Sequence, residues 1–163
     1  MCVVIDADTF SEISDGNNED FEPLRNWISQ DGHTVIYGGS KYAEELSNHG
    51  KFRAYLRELE HAGSTRKLSD QEVDDTREFL KRNFVLAQYN DHHIAAILFV
   101  SGCRVVSSHD KGCHQLIQDC CSHSGRSVIM KQLPNLSVNR PKIYQNKSHE
   151  SFLSDSSVSK CCI

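Results

Sequence analysis

Three short apolar, β-branched runs constrain this chain more than any other feature: CVVID (2–6), HTVIYGG (33–39) and RVVSS (104–108). None keeps a strict polar–apolar alternation, so each predicts a strand buried on both faces rather than one half-open to water. The stretches between them carry helical signals. A chain that alternates such strands with helices is expected to fold as an α/β three-layer α/β/α sandwich with a mainly parallel central sheet. Ligands in such sheets sit at the carboxyl ends of the strands. A length of 163 residues suits one domain with one core.

The helical signals are specific. ADTFSEISD opens a helix after the first strand, with Asp8 or Thr9 as its cap. EPLRNWISQDG (22–32) places Pro23 in a first turn and Gly32 as a stop. SKYAEELSNHG (40–50) reads as a helix capped by Ser40 and ended by Gly50. In KFRAYLRELEHAG (51–63), Phe52, Tyr55, Leu56 and Leu59 fall on one face. STRKL (64–68) predicts an edge strand, and SDQEVDDTREFLKRN (69–83) starts with the capping box Ser69-x-x-Glu72. DHHIAAILFVSG (91–102) is apolar almost all round, which predicts a buried helix stopped by Gly102. DKGCHQLIQDCCSHSG (110–125) predicts a further helix and SVIM (127–130) a last strand. The folded domain is expected to span 1–145, followed by a serine-rich, frayed tail over 146–163.

Bulk properties narrow the function. No apolar run approaches the roughly 20 residues that span a bilayer, and MCVVIDAD has neither the basic region nor the cleavage signal of a secretory leader. A cytoplasmic location and no membrane partner are therefore expected. The seven cysteines are odd in number and irregularly spaced, which points to mostly reduced thiols. A formal net charge of −4 argues against electrostatic coating of nucleic acid, but not against an enzyme that grips a few phosphates through a metal.

The acids follow the strands. Asp6 ends the first, Asp110 follows the third strong one, and both are expected at the carboxyl edge of the sheet. Asp91 opens the buried helix on the face of Ile94, Ala95 and Leu98. Glu45 lies near the apolar side of its helix, marked by Tyr42 and Leu46, whereas the adjacent Glu44 points away. Converging carboxylates repel each other. Either some are protonated through raised pKa values or a hard divalent cation neutralises them. An all-oxygen set suits Mg²⁺ or Mn²⁺, and such an ion can activate water for phosphodiester hydrolysis.

The chain resembles the PIN-domain family over residues 2 to about 131. The matching residues are VVIDAD with Asp6, YAEEL with Glu45, DHHIAA with Asp91, and VVSSHD with Ser108 and Asp110. The resemblance implies a metal-dependent endoribonuclease acting on single-stranded RNA, with Mg²⁺ or Mn²⁺ held by Asp6, Glu45, Asp91 and Asp110. It also implies a homodimer and, as in toxin relatives, an antitoxin partner. Ser108 would support the loop that presents Asp110. Two departures stand out. Lys111, Gly112 and Cys113 follow the fourth acid, where the family often has another acid and an aromatic. Asp8 takes the place of the usual Asn or Ser, and either adds a fifth carboxylate or caps the next helix.

The same residues admit other readings. Asp91, with Asn90, and Asp110 would serve singly as ordinary helix caps. A non-catalytic PIN-like interaction module would keep the acids for the fold or for weak metal binding. DADTF is similar to the start of haloacid-dehalogenase-like phosphatases, with Asp6 as nucleophile and Asp8 as acid. Phe10 departs from that motif, and no late aspartate pair at a strand end accompanies it. Cys103, Cys113, His114, Cys120, Cys121 and His123 crowd together and could bind zinc, but without a clean C-x-x-C the cysteines read as buried or idle thiols. His92 and His93 read as a solvent-facing pair, with a phosphate-binding role as the alternative. The C-terminal KCCI lacks the cysteine position of a prenylation box, since Lys160 occupies it.

Overall fold

The computed structural model describes residues 1–89 and 91–155. Asn90, the second candidate cap beside Asp91, and residues 156–163, with KCCI, lie outside the described residues. The chain runs β1 (Cys2–Ile5), α1 (Ala7–Ser14), α2 (Glu22–Ile28), β2 (Thr34–Tyr37), α3 (Ser40–Asn48), α4 (Gly50–His61), β3 (Thr65–Lys67) and α5 (Asp70–Asn83). It continues through α6 (His92–Ser101), β4 (Val105–Ser107), α7 (Lys111–Cys120), α8 (His123–Gln132), β5 (Lys142–Tyr144) and a 3-10 helix (Lys147–Leu153).

The strands form one parallel sheet in the order β3-β2-β1-β4-β5, flanked by helices as an α/β/α sandwich. β1 is buried from end to end, as its unbroken apolar run requires of a strand covered on both faces. It is registered with Val3 opposite Val35 of β2 and Val4 opposite Val106 of β4. The chain order of the strands reverses between β1 and β4. A cleft opens at the carboxyl ends of strands at such a reversal.

Helix α6 packs on β1 and β2 and lies against α5 and α7. Its residues are buried nearly all round, including both His92 and His93. It ends at Gly102 with φ 68°, a left-handed conformation that glycine adopts without strain. Capping of α5 by Ser69, whose hydroxyl accepts the Glu72 amide at 3.4 Å, follows the capping-box expectation.

Several boundaries differ from expectation. SVIM (127–130) is not a strand but part of α8. Ser122 caps that helix by accepting the Gly125 amide at 3.1 Å. Ile129 is buried while Val128 and Met130 face solvent, so one residue per turn points inward. The expected helix over 110–125 therefore breaks into α7 and α8. The last strand is β5, whose KIY carries too little apolar character to announce itself. Gly50 does not end α3 but opens α4, with His49 as the junction, and Gly39 rather than Ser40 occupies the N-cap of α3. Asp6, not Asp8 or Thr9, stands at the N-cap of α1. The 3-10 helix carries the fold past residue 145, because Trp27 donates its indole N–H to the Leu153 carbonyl at 3.0 Å and Leu153 is buried.

Candidate metal centre

Three elements bring acids together at the carboxyl ends of β1 and β4. Asp6 follows directly from β1, where its backbone N–H donates to the Ser107 carbonyl at 2.9 Å and so still belongs to the sheet. Thr9 clamps the same crossing, its hydroxyl lying 3.2 Å from the Asp6 carbonyl and 3.1 Å from that of Ser107. The Asp6 side chain makes no cap bond to α1, although it holds the N-cap position. It is only 4% exposed, and its Oδ2 accepts the Ser108 hydroxyl at 2.8 Å.

Helix α3 is anchored to the end of β1 by Tyr42, whose buried hydroxyl donates to the Ile5 carbonyl at 2.7 Å. Glu45 lies three residues further on, on the same face. Its side chain is 23% exposed against 63% for Glu44, so Glu45 is the inward acid, as expected. Asp91 holds the N-cap position of α6 without a side-chain cap bond, which leaves its carboxylate free of that duty.

Two groups of potential ligand atoms converge here, each with all its atoms within 4.8 Å of one another: Asp6, Glu45 and His93; and Asp6, Asp91 and Cys113. Asp6 is common to both. Asp110 belongs to neither. Its Oδ1 accepts the Cys113 amide at 2.7 Å and caps α7, while its own amide donates to the Ser108 hydroxyl at 3.1 Å. Asp110 therefore acts here as a cap, the role weighed for it alone. Asp8 is likewise engaged, accepting the His109 amide at 2.8 Å, so it ties down the loop after β4.

His93 departs from the expected solvent-facing role. It is 1% exposed, and neither ring nitrogen has a hydrogen-bond partner. Nε2 stands 3.1 Å from Glu45 Oε2 and Nδ1 4.0 Å from Asp91 Oδ1, both contacts being close without hydrogen-bond alignment. His92, also buried, approaches the Phe84 carbonyl through Nε2 at 3.1 Å. A sequence signal for both existed: on a helix apolar all round, any polar side chain points into the protein. Cys113, expected as a buried or idle thiol, is buried and stands beside Asp6 and Asp91, a placement that depends on where α7 starts, a matter of one or two residues. The other cysteines of the candidate zinc set, Cys103, Cys120 and Cys121, join no such group among the described residues.

Electrostatics register the crowding. Burial above all, then the charges of Asp8 and Asp91, pushes Asp6 up to about 7, against the lowering pull of Ser108 and His93. Burial pushes Asp91 up to about 6, helped by Asp110, Glu45 and Asp8 and opposed by His93. Asp8 is also raised, mainly by burial. Burial acts on Glu45 in the same direction, but His93, Lys41 and His49 outweigh it and hold its carboxyl below the usual value. The Cys113 thiol is driven well up by burial and by the surrounding acids.

Such a cluster favours whatever removes negative charge, either protons or a cation. Carboxylates from Asp6, Glu45 and Asp91 suit a divalent ion, and the unpartnered nitrogens of buried His93 fit a ligand in the same place. No protein-family model matches the chain, and no curated protein or solved structure matches it either.

Proposed function

We propose that this chain is a metal-dependent endoribonuclease that hydrolyses phosphodiester bonds of single-stranded RNA. The observation that carries this reading is the convergence of Asp6, Glu45 and Asp91, from three separate elements, at the reversal between β1 and β4. Burial first, and then neighbouring acids, pushes Asp6 up to about 7, and neither Asp6 nor Asp91 spends its side chain on capping its helix. Perturbed acids in a cleft mark sites of chemistry more often than sites of stability. The resemblance to PIN-domain proteins gives the same residues the same task and brings with it a homodimer and, in toxin relatives, an antitoxin partner.

Asp6 is the hub. The Ser108 hydroxyl fixes its carboxylate, and its membership in both ligand groups lets it serve either side of the cleft. Glu45 and Asp91 would complete the hold on Mg²⁺ or Mn²⁺. When bound, the ion supplies Lewis acidity and an acidified water. Glu45 keeps the lowest proton affinity of the group and so stays available to orient that water by accepting its hydrogen. Asp110, expected as the fourth ligand, shapes the loop that carries Ser108 from the cap of α7. Among the described residues no helix is long and apolar enough to cross a membrane.

A second reading draws on that same role of Asp110. With the fourth acid committed to its helix, a PIN-like module that binds metal and partners without cleaving RNA has one structural argument in its favour. Cleavage of a labelled single-stranded RNA in Mn²⁺ separates the two, comparing wild type with Asp6→Asn and Asp91→Asn. Cleavage lost in both folded variants supports the nuclease. A wild type inert in both Mn²⁺ and Mg²⁺ supports the module.

A further inference from the structure

We propose that His93 is a metal ligand, and that with Asp6 and Glu45 it makes the cleft a mixed nitrogen–oxygen site for a first-row transition cation in preference to Mg²⁺. The inference rests on the metal-centre reading above and deepens it, naming the class of ion.

The burial of His93 is hard to explain otherwise. At 1% exposure its two nitrogens face carboxylates, Glu45 Oε2 at 3.1 Å from Nε2 and Asp91 Oδ1 at 4.0 Å from Nδ1, and neither contact is aligned as a hydrogen bond, so a buried polar ring is left without full compensation. It sits on α6, where every other buried residue from Ile94 to Phe99 is apolar. Its ring is aimed at carboxylates rather than at a backbone carbonyl, with Nε2 on the Glu45 side. The 3.1 Å separation between Nε2 and Glu45 Oε2 is misaligned for a hydrogen bond but suits two ligands of one ion. Neighbouring ligand atoms with metal bonds of about 2.1 Å stand about 3 Å apart around an octahedral ion. The Asp6 carboxylate completes the triad, all its ligand atoms lying within 4.8 Å.

The donor set decides the metal class. Mg²⁺ favours oxygen and surrenders its water reluctantly. Imidazole suits the later first-row ions, and affinity for nitrogen-containing sites rises from Mn²⁺ to Cu²⁺ and falls back at Zn²⁺, which still lies above Mn²⁺. One imidazole beside two carboxylates therefore shifts preference away from Mg²⁺ without excluding Mn²⁺.

The test uses the full chain at neutral pH, with Mn²⁺, Mg²⁺ and Zn²⁺ as probes. Calorimetric titration should give Mn²⁺ and Zn²⁺ affinities at least about tenfold above that for Mg²⁺. Pulsed electron paramagnetic resonance of the Mn²⁺-loaded protein should show coupling to an imidazole nitrogen. His93→Asn should remove that coupling and weaken Mn²⁺ by about tenfold or more, while Mg²⁺ binding changes by less than about threefold. The wild-type spectrum is decisive even if the variant fails to fold. Mn²⁺ held by oxygen alone, equal affinity for Mg²⁺, or no Mn²⁺ binding at millimolar concentration would each overturn the proposal. RNA cleavage run alongside keeps the two readings apart. Nitrogen-coupled Mn²⁺ without cleavage sinks the nuclease and leaves the site standing. Mg²⁺-driven cleavage with an all-oxygen Mn²⁺ spectrum does the reverse.

Discussion

Ser108 donates its hydroxyl to Oδ2 of Asp6 across 2.8 Å, joining the end of β4 to the end of β1 through two buried side chains. The same oxygen accepts the Asp110 amide at 3.1 Å, so one hydroxyl both steadies the hub carboxylate and shapes the loop beyond it. This bond pulls the proton affinity of Asp6 down, yet burial and neighbouring acids still leave it near 7.

A pH dependence of stability follows. The folded-state pKa of Asp6 is above its unfolded value, so its contribution is fully present below the unfolded pKa. It is lost as pH rises through the folded value. Metal-free protein should therefore lose stability between about pH 4 and 7, with Asp6 contributing a slope of up to about 1.4 kcal/mol per pH unit. Asp91 acts in the same direction up to about 6. Asp6→Asn should flatten the profile and leave the variant more stable than wild type at alkaline pH. Urea melts in a chelator across that range measure the difference. A wild type that gains on Asp6→Asn as pH rises would refute this electrostatic account.

Glu45 and Glu44 are adjacent in sequence but not in environment. Lys41 lies 3.1 Å from Glu44 Oε2 at the surface and 3.9 Å from Glu45 Oε1, but Glu45 alone reaches His93, at 3.1 Å. Glu45→Gln should weaken Mn²⁺ by about tenfold or more, and Glu44→Gln should change it by less than about twofold, as an exposed ion pair contributes little. Calorimetric titration of the two variants checks this, and equal losses would mean that both acids act through long-range charge alone.

How much of this was legible in the chain varies by element. β1, β2 and β4 announced themselves because strands buried on both faces need unbroken apolar runs. β5 did not, since an edge strand with Lys142 outward needs no such run. The acids were traceable through strand ends and helix starts, and Glu45 through its position relative to Tyr42. Two facts were not local. Whether Asp110 caps or coordinates depends on side-chain rotation, since the N-cap position of α7 allows both. Whether His93 faces water depends on what covers α6, and α5 and α7 are contributed from elsewhere in the chain.

Gly125 marks the break that replaced an expected long helix. A Cβ built there would stand 2.0 Å from the Asp119 carbonyl oxygen and 2.9 Å from that of Cys120. These are backbone atoms at the end of α7, so they cannot rotate aside. Gly125→Ala should destabilise the protein by about 3 kcal/mol, despite the better helix propensity of alanine. Chemical denaturation measures it, and a neutral outcome would mean that α8 does not pack this closely on α7.

Asp110 offers the sharpest separation of fold from function. Its Oδ1 satisfies the Cys113 amide in the first turn of α7, and it belongs to neither ligand group. Asp110→Ala should cost about 1 kcal/mol of stability, the usual loss for an N-cap, and Asp110→Asn a few tenths, because asparagine caps as well. If Asp110 is only a cap, Mn²⁺ affinity in Asp110→Asn should stay within about threefold of wild type, its removed charge acting on Asp91 through space rather than on the ion directly. A drop matching that of Asp6→Asn, with stability unchanged, would instead make Asp110 a ligand whose carboxylate swings from α7 to the ion. The four acids would then act together, as the PIN-like pattern implies. Paired calorimetry and denaturation on the two Asp110 variants distinguish these outcomes.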